Sequence, residues 1–186
     1  MRKLLTATIL LLVVVLAAPM WAQTTSDVYQ VHPFFDGAPA IVQIVNPGVQ
    51  GTPISSDHGT VCADIYVFDL NQEMLECCAC PITANGTLSL LRASLLGNTL
   101  TAANPTTGVF KVVAAQASAG TCNPENPIPI PDLRAWGFGP TYDQFAAAPL
   151  SAAEQGFLGQ ACAFVRYLGS GRGRCTCTDV GGAGGV

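Results

Sequence analysis

Eight cysteines constrain this chain more than any other feature: Cys62, Cys77, Cys78, Cys80, Cys122, Cys162, Cys175 and Cys177. An even count in an exported chain reads as a disulfide framework, because unpaired thiols are a liability in an oxidising compartment. Each bridge contributes roughly 2–4 kcal/mol, mainly by restricting the unfolded chain. Spacing alone does not choose among about a hundred pairings. Local geometry narrows them. Cys77 and Cys78 are neighbours on an expected strand, so their side chains point to opposite faces and need different partners. Cys62 lies on the strand expected to pair with theirs, which suggests a cross-hairpin bridge. Cys162 falls on an expected helix, from which it reaches Cys175 or Cys177, or staples the helix to a sheet.

The oxidising address is read from the first residues. Arg2 and Lys3 precede an apolar run from Leu4 to Ala18, followed by Pro19 and Met20-Trp21-Ala22. This is the pattern of a secretory signal peptide, expected to occupy residues 1–22 and to be cleaved. Fifteen apolar residues would span only about 22 Å as a helix, short of the roughly 30 Å hydrocarbon layer. The mature chain is therefore expected without a membrane span, and secreted, at the cell surface or in the periplasm. With Arg2 and Lys3 gone, six basic residues face twelve acidic ones, a net charge of −6. That balance excludes a nucleic-acid partner held by charge. With 49% hydrophobic and 11% charged residues, the chain is neither a coiled coil nor a solvated disordered segment.

Val28 to Phe35 and Ala40 to Val45 are rich in β-branched and aromatic residues and are punctuated by Pro33, Pro39 and Asn46-Pro47-Gly48. The clearest alternation places Val61, Ala63, Ile65 and Val67 on one face and Cys62, Asp64, Tyr66 and Phe68 on the other. Asp69-Leu70-Asn71-Gln72 turns this strand into a second one, Glu73 to Cys80. Asn85-Gly86 marks a tight turn before Leu88 to Leu91. Val109 to Ala115 and Leu133 to Phe138 complete the strands. Between them, Asn123 to Pro131 holds four prolines and is expected as an extended surface crossover outside the ladder.

Thr141-x-x-Gln144 and Ser151-x-x-Glu154 both match the capping box. The second introduces a helix from Ala152 to Leu168, with Phe157, Leu158, Ala161, Phe164, Val165 and Leu168 expected as its buried stripe and Gly169 as its stop. The expected fold is mainly β: an antiparallel sandwich of six or seven short strands, with a C-terminal amphipathic helix, stapled by disulfides. Residues 23–180 form one domain and 181–186 a flexible Gly-rich tail.

The raw materials for catalysis are thin. Only His32 and His58 can serve as imidazole bases; Asp57-His58-Gly59 reads as a turn, and His32 as a strand residue with its ring satisfied. No G-x-S-x-G elbow occurs. Gly169-Ser170-Gly171-Arg172-Gly173-Arg174 follows a helix end rather than preceding one, the wrong polarity for a phosphate cradle. Asp69-x-Asn71-x-Glu73 imitates a calcium loop but lacks its Gly and distal Glu, so a polar turn is expected there. Asp64, Asp69, Glu73 and Glu76 on the hairpin would serve a secreted hydrolase only if they converged. The clustered sulfurs would bind copper or zinc only as thiolates. No cofactor is called for.

The first functional expectation is a non-enzymatic structural or adhesive protein, working by self-association in an extracellular assembly. Val28 to Phe35 suggests strand addition to a neighbour's sheet edge, against the plainer reading of a first strand in its own sheet. The second expectation is a carbohydrate- or ligand-binding module, in contact with matrix or polysaccharide. Trp136, Phe138 and Tyr142 would stack on sugar rings, unless Trp136 is core filler beside the helix.

Overall fold

In the computed structural model, residues 28–35, 41–49, 59–91, 95, 101, 104–118, 120–138, 142–168 and 177 are described. Residues 1–22, expected as a leader, Asp57-His58, expected in a turn, Gly169 to Arg174, Cys175 and residues 181–186, expected as a tail, lie outside them.

Among the described residues, nine strands form two wholly antiparallel sheets. They are β1 Tyr29–Phe34, β2 Ile41–Val45, β3 Val61–Asp69, β4 Met74–Ile82, β5 Thr87–Leu91, β6 Gly108–Gln116, β7 Arg134–Phe138, β8 Tyr142–Gln144 and β9 Ala146–Ala148. One sheet runs β4-β3-β6-β1-β9 and the other β5-β2-β7-β8. Seven strands fall where β-branched and aromatic alternation places them. The two additional ones, β8 and β9, are three residues long and carry little such signal. Tyr142 to Gln144 is strand, so the capping-box reading at Thr141-x-x-Gln144 is corrected. Between β8 and β9 the chain passes from one sheet to the other at Phe145, whose buried ring sits 4.8 Å from His32 and 6.4 Å from Phe110.

The alternation of β3 is real, but both of its faces are buried. Val61, Ala63, Ile65 and Val67 meet Val42, Ile44, Leu88 and Leu90 of the facing sheet in the sandwich core. Tyr66 and Phe68 on the opposite face pack with Leu158, Cys162 and Val165 of the helix α1, Ala152–Tyr167. The architecture is thus three layers, sheet on sheet with a helix outside the five-stranded one. Gln30 on β1 joins the two sheets: its amide donates to Leu133 O and its carbonyl accepts from Ala135 N at 2.7 Å.

Turn chemistry follows the sequence. Asp69 Oδ1 accepts from Asn71 N at 2.8 Å and Glu73 N at 3.0 Å, so this carboxylate closes the β3–β4 turn. At Thr83 to Gly86, the Gly86 amide donates to Thr83 O at 2.8 Å, with Asn85 left-handed at φ 62°. Asn46, fully buried, donates to Gly59 O and Ile82 O and accepts from Gly48 N, pinning three loop segments at once.

The bridges tie the five-stranded sheet to the segments around it. Cys77, facing the helix, is bonded to Cys162, whereas Cys80, facing the sandwich core, is bonded to Cys177. Cys78 is disulfide-bonded as well. Cys62 pairs with Cys122, 60 residues on, and not across the hairpin. The reason is register: Cys62 stands opposite Pro81, while Cys77, Cys78 and Cys80 stand opposite Tyr66, Ile65 and Ala63. The three cysteine pairs Cys62–Cys122, Cys77–Cys162 and Cys80–Cys177 are consistent with an oxidising location, and no helix among the described residues is long and apolar enough to cross a membrane.

Helix α1 starts where expected, with Ser151 Oγ accepting from Glu154 N at 3.1 Å. The Glu154 carboxylate does not complete the box, because it accepts instead from Tyr29 and from Lys111 on the sheet. The buried stripe is Leu158, Gly159, Cys162 and Val165. Phe157 (47% exposed), Phe164 (58%) and Leu168 (36%) lie off it, which corrects the expected stripe. The rotation is fixed by the Cys77–Cys162 bridge and by Gly159, where the helix meets the Pro-rich crossover. A Cβ at Gly159 would stand 2.3 Å from Glu125 O. At Gly156, in the same helix, it would touch nothing within 4 Å. Opposite signs are therefore expected in equilibrium unfolding: Gly156→Ala stabilises by about 0.5–1 kcal/mol, whereas Gly159→Ala destabilises by about 1–3 kcal/mol.

The crossover itself is less peripheral than its prolines suggest. Gln116 N donates to Ile128 O and Ile130 N to Ala114 O, so the segment lies along β6 beyond the end of β1. Gln155 of the helix donates to Pro127 O at 2.8 Å. Missing proline N–H groups limit this pairing to one bridge, Ala115 to Pro129.

Candidate binding surface

The four-stranded sheet has no helix over its outer face among the described residues, and alternation decides what it presents. On β7, Ala135 and Gly137 are buried, leaving Arg134, Trp136 and Phe138 outward. On β2, Val42 and Ile44 are buried, leaving Ile41, Gln43 and Val45 outward. On β5, Leu88 and Leu90 are buried, leaving Thr87, Ser89 and Leu91 outward. Register aligns these into rows. Ser89, Gln43, Trp136 and Gln144 form one, and Leu91, Ile41, Phe138 and Tyr142 the next.

Trp136 and Phe138 are thus brought to one face, with Tyr142 at the register position beside Phe138 on β8. Trp136 and Phe138 are half-buried, about 7 Å apart along the strand, with neighbouring strands about 4.8 Å away. Ile41 (36% exposed) and Leu91 (51%) extend the apolar row. The result is an outward platform with one aromatic-aliphatic row and one row of amides and a hydroxyl around Trp136. Such a surface offers ring faces to apolar C–H groups and amides to hydroxyls. Trp136 is not core filler beside the helix, since α1 covers the other sheet. Ile41, Gln43, Leu91 and Gln144 went unnoticed in the sequence because they join this surface only through strand order.

The other candidates are dispersed. His32 is a strand residue packed on Phe145, but Nδ1 has no hydrogen-bond partner among the described residues, so the ring is not satisfied as expected. Asp64 and Glu76 leave the hairpin on opposite faces, Asp64 in the row of Val113 and Glu76 opposite the core residue Val67. Asp69 is engaged with its own turn. These carboxylates do not converge. The described cysteines are all disulfide-bonded, a state in which sulfur carries no thiolate charge for a metal. Among the described residues, no three His, Cys, Asp or Glu side chains cluster around a common point.

On the helix side, Lys111 Nζ lies 2.6 Å from Glu154 and 4.7 Å above the Phe68 ring, with the Tyr29 hydroxyl donating to the same carboxylate at 2.9 Å. Burial, together with the Glu154 bond and charge, pushes the Tyr29 hydroxyl's pKa upward. This cluster fastens α1 to the sheet. The Val28 to Phe35 segment is occupied too: β1 pairs with β6 on one side and β9 on the other. Its edges are taken within its own sheet, which removes it as a strand to be donated.

No family model matches the chain, and no curated protein or solved structure matches it.

Proposed function

We propose that this chain is an exported, non-enzymatic structural or adhesive domain, a subunit or contact module of an extracellular surface. The observation that carries the reading is an outward sheet face with an apolar row, on a body whose other sheet is tied by disulfides to the crossover and the helix. Disulfides tie β3 to the crossover and β4 to the helix, so the five-stranded sheet behind the platform resists loosening. The leader-like start and the acidic balance support export, with self-association as the mode of assembly. Mature protein is expected to form oligomers on size-exclusion chromatography with light scattering as concentration rises. Replacing Leu91 and Ile41 with serine returns it to monomer. A wild-type monomer at every concentration removes the assembly reading.

A second reading rests on the Trp136 row. Two aromatic residues flanked by Gln43, Gln144 and Ser89 suit an extended polysaccharide, whose sugar faces are apolar and whose edges carry hydroxyls. Trp136→Ala is expected to weaken retention on insoluble polysaccharides at least tenfold while leaving the unfolding midpoint within a few degrees of wild type. Equal retention by this variant and wild type counts against it.

A further inference from the structure

Three residues stand two apart on the helix-side face of β3: Cys62, Asp64 and Tyr66. The outer two are tied to the crossover, Cys62 through its disulfide to Cys122 and Tyr66 by donating its hydroxyl to Pro124 O at 2.8 Å. The chain from Cys122 to Pro124 therefore bridges the position of Asp64. In the ladder Asp64 stands between Ala79 on β4 and Val113 on β6, neither of which has a polar side chain. Its exposure is 0%, and neither carboxylate oxygen has a hydrogen-bond partner among the described residues. A carboxylate without a donor or cation beside it is costly to bury, and such a group keeps its proton instead.

The charged and titratable groups on this side are already engaged. Lys111 on β6, Glu154 on α1 and Tyr29 on β1 form one cluster. Arg166 on α1 lies 3.1 Å from Glu125 on the crossover. Tyr66, next along β3, is bonded to Pro124, and burial together with the Asp64 charge pushes its hydroxyl's pKa upward. None of them bonds to Asp64.

We propose that Asp64 is a pH-operated release beneath the crossover: as the neutral acid it lets residues 122–130 lie on the sheet, and as the carboxylate it lifts that segment to reach water. The Cys62–Cys122 bridge holds one end, so opening proceeds from the hydrogen-bonded side. It breaks the bonds of Tyr66 to Pro124, Gln116 to Ile128 and Ile130 to Ala114.

The direction of the effect follows from burial, which raises the Asp64 pKa from 3.8 to about 7. Below about pH 4 open and closed forms are both protonated, and closure has its full strength. Between about pH 4 and pH 7 only the open form ionises, so closure weakens about tenfold per pH unit and then levels off. The segment is held tightest in acid.

Hydrogen exchange at the Gln116 and Ile130 amides, corrected for intrinsic rates across pH 4–9, tests the device. Wild-type protection is expected to fall by two to three orders of magnitude, levelling near pH 7, as linkage requires. In Asp64→Asn it is expected to stay at the acid value throughout. Flat wild-type protection overturns the proposal, as does an equally steep profile in the variant. Should Asp64→Asn fail to fold, the carboxyl carbon resonance of Asp64 in intact wild-type protein decides: a midpoint near 7 supports the release and one near 4 overturns it.

Discussion

Removing the Cys77–Cys162 bridge by a double alanine substitution is expected to lower the unfolding free energy by about 3–4 kcal/mol in urea titrations. This bridge spans 85 residues and joins the second-core face of β4 to the inner stripe of α1. Without it the unfolded chain regains the freedom of a long open loop, which is the larger part of the loss. The remaining anchors of the helix are modest: the Lys111–Glu154 pair, both partners partly exposed, and the burial of Leu158 and Val165. Hydrogen exchange in α1 should rise more than in the sandwich strands, because the second core loosens before the first. An unchanged urea midpoint would show that packing alone holds the helix.

Phe110→Ala is expected to cost about 3–5 kcal/mol, the range for emptying a buried aromatic site. Phe110 is fully buried between Phe34, whose ring centroid is 4.7 Å away, and Phe145 at 6.4 Å. These residues come from two strands, β1 and β6, and from the passage between the sheets, so no single side chain can move to fill the void. Phe164→Ala is the control. Its ring is 58% exposed, and the substitution should change stability by no more than about 0.5 kcal/mol. Equal losses at the two positions would place Phe164 in the core and reverse the helix orientation described above.

The elements were legible in the sequence wherever a side-chain pattern and a turn signal agreed. Val61 to Phe68 alternates, Asp69 has the short carboxylate that closes a turn on its own backbone, and Glu73 to Cys80 returns. Ser151 and Glu154 marked the helix start, and the oxygen of Ser151 does cap it. The misreadings share one origin. Phe157, Phe164 and Leu168 have the helical spacing of a core face, yet spacing fixes which residues share a side and not which side is turned inward. That choice fell to Cys162 and to Gly159, where only a missing Cβ lets the helix reach Glu125. The Cys62 pairing failed similarly, because strand proximity says nothing of register, and register set Pro81 opposite it.

The binding surface is a subtler case. Trp136, Phe138 and Tyr142 were visible as an aromatic cluster, but Ile41, Gln43 and Leu91 are separated from them by more than 40 residues of chain. Only the order β5-β2-β7-β8 makes them neighbours.

Chain chemistry alone thus determined the β-rich class, the hairpin, the helix start and the opposite destinations of Cys77 and Cys78, since each depends on contacts within a few residues. Tertiary structure decided the disulfide partners, the inward face of the helix, the rows on the open sheet and the isolation of Asp64. Those depend on which distant segments share a layer, and hydrophobic burial, being non-directional, leaves that choice to packing and register.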